Sequence, residues 1–260
     1  MKKTFLNLGK QPIANGFLYK EQIKDEYYFR LKMAFDKETA LVTQVNYVDG
    51  DLMFNDDYAY RGSMSKTMVK HFKAFSKTIS SNKNILEIGS NDGVFLKNFS
   101  PKKAIAVEPC GNFAKETQDM GYTTYAEFWT QDLANKILKN HGKQDVIFAA
   151  NCICHIPDLD QTLTSMYDNL TKDGILAINI PSHTVKRWWA NTGNWMGGTP
   201  HVHSFKLSKT NAPYYTHAGT QKYESIPNLI DIDTLLEKKG FNIALAEYSG
   251  DNNIIIFAEK

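Results

Sequence analysis

From Asn84 onward, short apolar runs alternate with amphipathic stretches. Ile85-Leu86-Glu87-Ile88, Ala104-Ile105-Ala106-Val107 and Asp145-Val146-Ile147-Phe148-Ala149-Ala150 are too short for helices and, Glu87 and Asp145 apart, apolar on both alternating faces. Such runs predict strands buried on both sides, as in a parallel sheet. Tyr122 to Tyr125 is a weaker strand between the second and third of them. Thr130 is placed to cap a helix from Gln131 to about His141, with Gly142 as its stop. Leu163, Met166, Tyr167 and Leu170 stripe the next helix, and Asp173-Gly174 turns the chain into a fifth strand, Ile175 to Ile180. A helix through Leu235 and Leu236 ends at Gly240. Two last strands, Phe241 to Tyr248 and Asn253 to Ala258, follow with only Ser249-Gly250-Asp251-Asn252 between them. That spacing fits a hairpin, which sets an antiparallel strand in an otherwise parallel sheet.

The first 82 residues follow another pattern. Leu8 to Phe17 is punctuated by Gly9, Pro12 and Gly16 and reads as a loop. Tyr28 to Phe35 and Ala40 to Val45 read as strands around a turn at Asp36 to Thr39. Met64, Met68, Phe72, Phe75 and Ile79 then form one stripe of an amphipathic helix that is to begin after Gly62. Lys66, Lys70, Lys73 and Lys77 form the other stripe, which is either a solvated face or a phosphate-recognition surface. With Ser80 to Lys83 as the junction, the pattern divides the chain into an N-terminal α+β unit, 1–82, and an α/β unit, 83–260.

Composition narrows the class. A net charge of +2 over 260 residues gives no electrostatic case for nucleic acid. Cys110, Cys152 and Cys154 are the only cysteines, which excludes a disulfide framework and a four-cysteine metal site. No apolar run has the length of a signal peptide core or a membrane span, so a cytoplasmic enzyme or binding protein is expected.

The chemistry is expected where the first parallel strand stops. Gly89-Ser90-Asn91-Asp92-Gly93 turns the chain out of that strand toward a helix expected from about Val94. In an open α/β sheet, ligands bind at this carboxyl edge. A dinucleotide site would use G-x-G-x-x-G, with bare amides facing pyrophosphate. Here the loop lacks that spacing and holds two carboxylates, Glu87 and Asp92, which repel phosphate and suit a ligand with ammonium and sulfonium groups. S-adenosylmethionine (SAM) is such a ligand, and Glu-x-Gly-x-x-x-Gly is similar to the first motif of class I methyltransferases. Glu108-Pro109, at the tip of the second strand, is placed to accept hydrogen bonds from ribose hydroxyls. SAM and NAD both have that ribose, so Glu108 does not choose between them; the loop charge does.

Several segments resemble one family, the SAM-dependent C-methyltransferases of nucleotide-deoxysugar biosynthesis. They are Leu8-Gly9-x-x-Pro12-Ile13-Ala14-Asn15-x-Phe17, Tyr60 to His71, Glu87 to Gly93, Val107-Glu108-Pro109, and Asn151 to Leu159 with its His155-Ile156-Pro157-Asp158. The resemblance implies a Rossmann-like, seven-stranded class I sheet, SAM as cofactor and an N-terminal unit that helps enclose a nucleotide-linked small-molecule acceptor. The family's zinc-binding Cys-x-x-Cys pairs are missing; Met33-Ala34-Phe35-Asp36 stands about where one belongs, so no metal is expected. The family's Tyr-His-Glu-His beyond the fifth strand is matched only by Pro200-His201-Val202-His203. With the tyrosine and glutamate lost, O-methylation stands beside C-methylation.

The candidate cofactor residues are Glu87, Gly89, Ser90, Asn91, Asp92, Gly93, Glu108, Pro109, Glu127, Phe128 and Asn151. For the base, His203 comes first and His201 second, followed by His155 and Tyr60. Tyr60, Ser63, Trp188 and Trp195 are candidate acceptor contacts. His155 has two readings, contact with cofactor or acceptor and helix capping; Cys152 and Cys154 are expected to pack. Two other functions compete with methyl transfer: a nicotinamide-dependent oxidoreductase, and a catalytically silent SAM-binding protein.

Overall fold

The computed structural model describes residues 2–14, 16–36, 42–181, 206–208, 211–217, 221–223, 238–248 and 253–259. Strands β1 (Lys2–Pro12), β2 (Tyr28–Asp36) and β3 (Val42–Gln44) form an antiparallel sheet in that order. Residues 8–12, expected as loop, belong to β1. The β1–β2 register slips between Asn7 and Lys10, where Gly9 takes φ +71° and its N–H donates to Asn7 Oδ1 at 3.0 Å. A glycine in that conformation inserts a bulge without ending the strand.

A one-turn helix, α1 (Gly50–Met53), leads to α2 (Lys66–Ser76), which Ser65 caps by accepting the Met68 N–H at 3.2 Å. Phe72 and Phe75 on α2 are buried together with Ile85, Phe95, Ala104 and Phe148 of the following α/β region. The helix assigned by sequence to the N-terminal unit thus packs into the core of the large sheet. Its three lysines, Lys66, Lys70 and Lys73, and Lys77 at its C-cap are exposed.

The large sheet begins with β4 (Ile85–Ile88) and β5 (Ala104–Val107), followed by α3 (Gly111–Asp119), β6 (Thr123–Tyr125), α4 (Gln131–His141), β7 (Gln144–Ala150), α5 (Leu159–Asn169) and β8 (Leu170–Pro181). Its five parallel strands run in the order β8-β7-β4-β5-β6. The chain moves from β4 outward to β5 and β6, then crosses to β7 and β8. The sheet therefore reverses direction at the end of β4, where such folds leave a crevice. Short strands β9 (Lys206–Ser208), β10 (Asn211–His217) and β11 (Gln221–Tyr223) form a separate antiparallel sheet. After them, β12 (Asn242–Tyr248) and β13 (Asn253–Glu259) pair antiparallel, and β13 pairs antiparallel with β8.

Capping of α4 follows the sequence closely: Thr130 Oγ1 accepts the Leu133 N–H at 3.2 Å, and Gly142 ends the helix at φ +72°. Two expectations fail. The glycine turn is followed by a single 3-10 turn, Leu96–Asn98, in place of a helix from Val94. Val94, Phe95 and Leu96 are all buried, so no face is left for water, and Asn98 Nδ2 closes the turn on the Val94 and Phe95 carbonyls. Asp173-Gly174, expected to precede the fifth strand, lies inside β8. There β8 advances from Leu170 to Ile175 while β7 advances only from Gln144 to Val146, so the turn becomes a bulge.

Candidate active site

Positive φ at three alternate positions shapes the turn after β4: Gly89 (+72°), Asn91 (+49°) and Gly93 (+70°). A Cβ on Gly89 would stand 2.7 Å from Cys152 Cβ, so this glycine admits the chain beyond β7 against the turn. Gly93, expected to face the cofactor, faces α3 instead; a Cβ there would meet Thr117 Cγ2 at 3.0 Å.

Two acids converge at the adjacent strand ends. Glu87 is 2% exposed, and burial first, then the charges of Glu108 and Asp92, hold its pKa well above the usual carboxylate range. Glu108 accepts the Asn91 N–H at 2.6 Å and the Cys110 N–H at 2.9 Å, yet burial still raises its pKa. A carboxyl raised on folding contributes stability below its unfolded pKa and loses it as pH rises through the folded value. Glu87→Gln should therefore raise the melting temperature of the ligand-free protein at pH 7 by a few degrees. It should also flatten the decline from mildly acidic to neutral pH. Thermal unfolding against pH checks this, and a pH 7 melting temperature below wild type rejects it.

Asp92, expected to face the ligand, turns the other way. Its carboxylate accepts the Ser63 N–H, at 3.3 Å for Oδ1 and 3.2 Å for Oδ2. The Asn91 side chain does the same for its neighbours: Oδ1 accepts the Gly62 N–H at 2.8 Å, and Nδ2 donates to the Tyr60 carbonyl at 3.0 Å. Farther along, Arg61 forms a two-pronged pair with Glu116 of α3 at 2.8 and 2.6 Å, and its guanidinium lies 4.9 Å from the Phe113 ring centroid. Asn112 Nδ2 holds the Tyr58 carbonyl at 3.1 Å. Residues 54–63 thus form a strap bound across the glycine turn and the start of α3.

Between strap and strand ends lies a cavity of about 410 Å³. That is within the range of about 300–1,000 Å³ for small-molecule sites. The sequence candidates Glu87, Gly89, Ser90, Asn91, Glu108, Pro109, Phe128, Asn151, His155 and Tyr60 line it; Asp92, Gly93, Glu127 and Ser63 do not. Glu127 pairs with Lys136 at 2.7 Å on the surface, and Ser63 offers its backbone to Asp92. His155 keeps an exposed surface, but its ring packs on Phe54 at 5.4 Å between centroids, and desolvation lowers its pKa. It does not cap α5, because Asp158 does, accepting the Gln161 N–H at 2.9 Å. His201, His203, Trp188 and Trp195 lie outside the described residues. Phe54, which sequence reasoning passed over, links Tyr58, Phe128 and His155 into one aromatic wall. Nothing in its spacing distinguishes it from a packing residue.

Three buried atoms of lining residues, Glu87 Oε2, Ser90 Oγ and Asn151 Oδ1, have no hydrogen-bond partner. Leaving each unmet costs about 1–3 kcal/mol, and a ligand with hydroxyl and ammonium donors satisfies them. Two carboxylates and these acceptors fit SAM.

Five parallel strands with helices on both faces and an acidic glycine turn at the switch point make an α/β methyltransferase fold. The methyltransferase domain family matches over residues 60–246, and the chain belongs to it, with a domain that is SAM-dependent. That sets aside the nicotinamide-dependent oxidoreductase. The chain is also similar to the C-methyltransferase NovU of Streptomyces niveus, at 24% identity over 185 residues, which are 68% of this chain and 44% of that protein. It therefore spans less than half the length of that relative. Among solved structures, the CcbJ methyltransferase of Streptomyces caelestis aligns at 10% identity over 78% of this chain and 93% of its own, with a TM-score of 0.49. A SAM-dependent methyltransferase of Thermotoga maritima, described as a possible histamine N-methyltransferase, aligns at 18% identity over 75% of this chain and 90% of its own, with a TM-score of 0.46. No described helix is long and apolar enough to cross a membrane.

Proposed function

We propose that the protein transfers a methyl group from SAM to a carbon or oxygen of a small, nucleotide-activated sugar or glycan precursor. The observation behind the cofactor half is the set of unpartnered acceptors beside Glu87 and Glu108 in one cavity. The acceptor half rests on the Leu8 to Phe17 and Tyr60 to His71 segments and on the likeness to a C-methyltransferase.

When bound, SAM supplies a methyl carbon on a sulfonium centre. Glu108 takes the ribose hydroxyls with the lone pairs its two backbone bonds leave free. Glu87, Ser90 and Asn151 would receive the remaining donors, and Pro109 and Phe128 would hold the adenine. Tyr60 and His155 wall the acceptor side, and Trp188 and Trp195 are the further acceptor contacts proposed from the sequence. His203 is the proposed base that takes the proton from the acceptor atom, with His201 as the second choice. Aligning two reactants in this way is worth about 7–11 kcal/mol, and a placed base adds about 10²–10⁴-fold. We read β12 and β13 as completing a seven-stranded class I sheet. The cofactor-binding unit includes the strap and α2, so the division between units falls near Phe54 and not at residue 82.

Incubating the protein with SAM and a panel of nucleotide-linked keto- and hydroxysugars tests the reading, with S-adenosylhomocysteine (SAH) as the product measured. Turnover with none of them, despite SAM binding, favours the catalytically silent alternative. Glu108→Ala should weaken SAM binding by about 10- to 100-fold, since hydrogen bonds to a charged group are worth about 1.5–3 kcal/mol. It should also lower stability, because the Asn91 and Cys110 amides lose their acceptor. Titration calorimetry showing less than about a threefold change would remove Glu108 from the site.

A further inference from the structure

Asn91 stands at the junction of two walls. Its own N–H donates to Glu108 Oε2 at 2.6 Å, while its side chain gives its donor to the Tyr60 carbonyl at 3.0 Å and its acceptor to the Gly62 N–H at 2.8 Å. Tyr60, Gly62, Asn91 and Glu108 all line the cavity. Next in sequence, Asp92 takes the Ser63 N–H, so three strap residues, Tyr60, Gly62 and Ser63, are fixed by two adjacent turn residues.

We infer that Asn91 is a positioning residue that couples occupancy of the Glu108 carboxylate to the ordering of the strap at Tyr60–Ser63. The inference rests on the reading that the ribose of SAM binds at Glu108. Ribose hydroxyls favour the charged carboxylate and hold it in one rotamer, which keeps the Asn91 amide engaged. At φ +49° the backbone then directs the Asn91 side chain onto the strap. Asparagine suits the position because it tolerates a left-handed backbone and offers donor and acceptor from one group. Glycine has only the first property, and aspartate lacks the donor. Coupling of this kind is reciprocal, so an ordered strap also keeps the Asn91 amide on Glu108 and favours ligand binding.

Amide hydrogen exchange of the full chain, with and without saturating SAH, tests the coupling. In wild type, SAH should slow exchange at Gly62 and Ser63 by about tenfold. Asn91→Gly keeps the backbone conformation and the amide bond to Glu108 while deleting the side chain. It should bind SAH within about tenfold of wild type, by the same linkage, yet give the Gly62 amide no SAH-dependent protection, while Ser63 keeps its Asp92 acceptor. Asn91→Asp keeps the acceptor and should restore part of the protection at Gly62. A purely structural role would change the basal exchange of these variants and leave its dependence on SAH intact. The coupling is overturned if calorimetry shows SAH binding to wild type without protecting Gly62 and Ser63, or if Asn91→Gly retains the full protection at Gly62. Wild-type protein that binds no SAH overturns the cofactor reading, and the coupling with it. If Asn91→Gly does not fold, the wild-type comparison and Asn91→Asp decide the matter.

Discussion

Gly89→Val is expected to abolish measurable SAM binding and to cost the fold about 2–6 kcal/mol. Two independent penalties add. A β-branched residue at φ +72° is strained by about 1–3 kcal/mol, and overpacking a tight site costs a similar amount. The crowding has no easy escape, since the new Cβ would lie 2.7 Å from Cys152 Cβ, and the Cys152 thiol donates to the Ile88 carbonyl at 3.1 Å. Relief can come only from moving the strand ends that bear Glu87 and Asn151. Cys152→Gly in the same chain removes the clash and leaves the φ strain, so the double variant should regain only part of the stability. Denaturant unfolding and SAM titration measure both effects. Gly89→Val protein that binds SAM within about tenfold of wild type would mean the turn does not shape the site.

His203→Asn is expected to lower kcat by about 10²-fold or more while leaving SAM affinity unchanged. His203 and His201 follow β8 in sequence with one residue between them, so both side chains would share a side if the segment is extended. One can then take the acceptor proton while the other orients it or binds the acceptor. Wild-type kcat should rise with pH through an imidazole ionisation, and the variant should lose that limb. His155 is the control. It lines the cavity, and desolvation lowers its pKa, which favours the neutral imidazole that a base requires. A loss of about 10²-fold in His155→Asn, with His203→Asn and His201→Asn near wild type, would move the base to the end of β7.

The strands around the site were legible because each is a short apolar run with no exposed face. Ile85 to Ile88 and Ala104 to Val107 are buried at every position, so their composition alone separates them from amphipathic helices. Thr130 and Gly142 marked α4 because capping is local chemistry. Gly9 misled for the opposite reason: the same residue type ends a strand or bulges it, and the partner strand decides. The glycine turn shows the same limit. Its polar residues were all read as facing a ligand, yet Asn91 and Asp92 bond residues 29 positions earlier in the chain. Spacing within the motif holds no information about that neighbour.

The strap also bears on how such a protein can be recombined with relatives. A crossover at residue 82 would separate Phe72 and Phe75 from the core they fill, and Asn91, Asp92 and Glu116 from the segment they grip. Each junction contact would then depend on the donor parent having the same residues. A crossover ahead of Phe54 keeps every one of these pairs within a single parent. Val48 to Gly50, Asp51 and Met53, which also line the cavity, would then come from the other parent, so a crossover ahead of Val48 keeps the whole lining together.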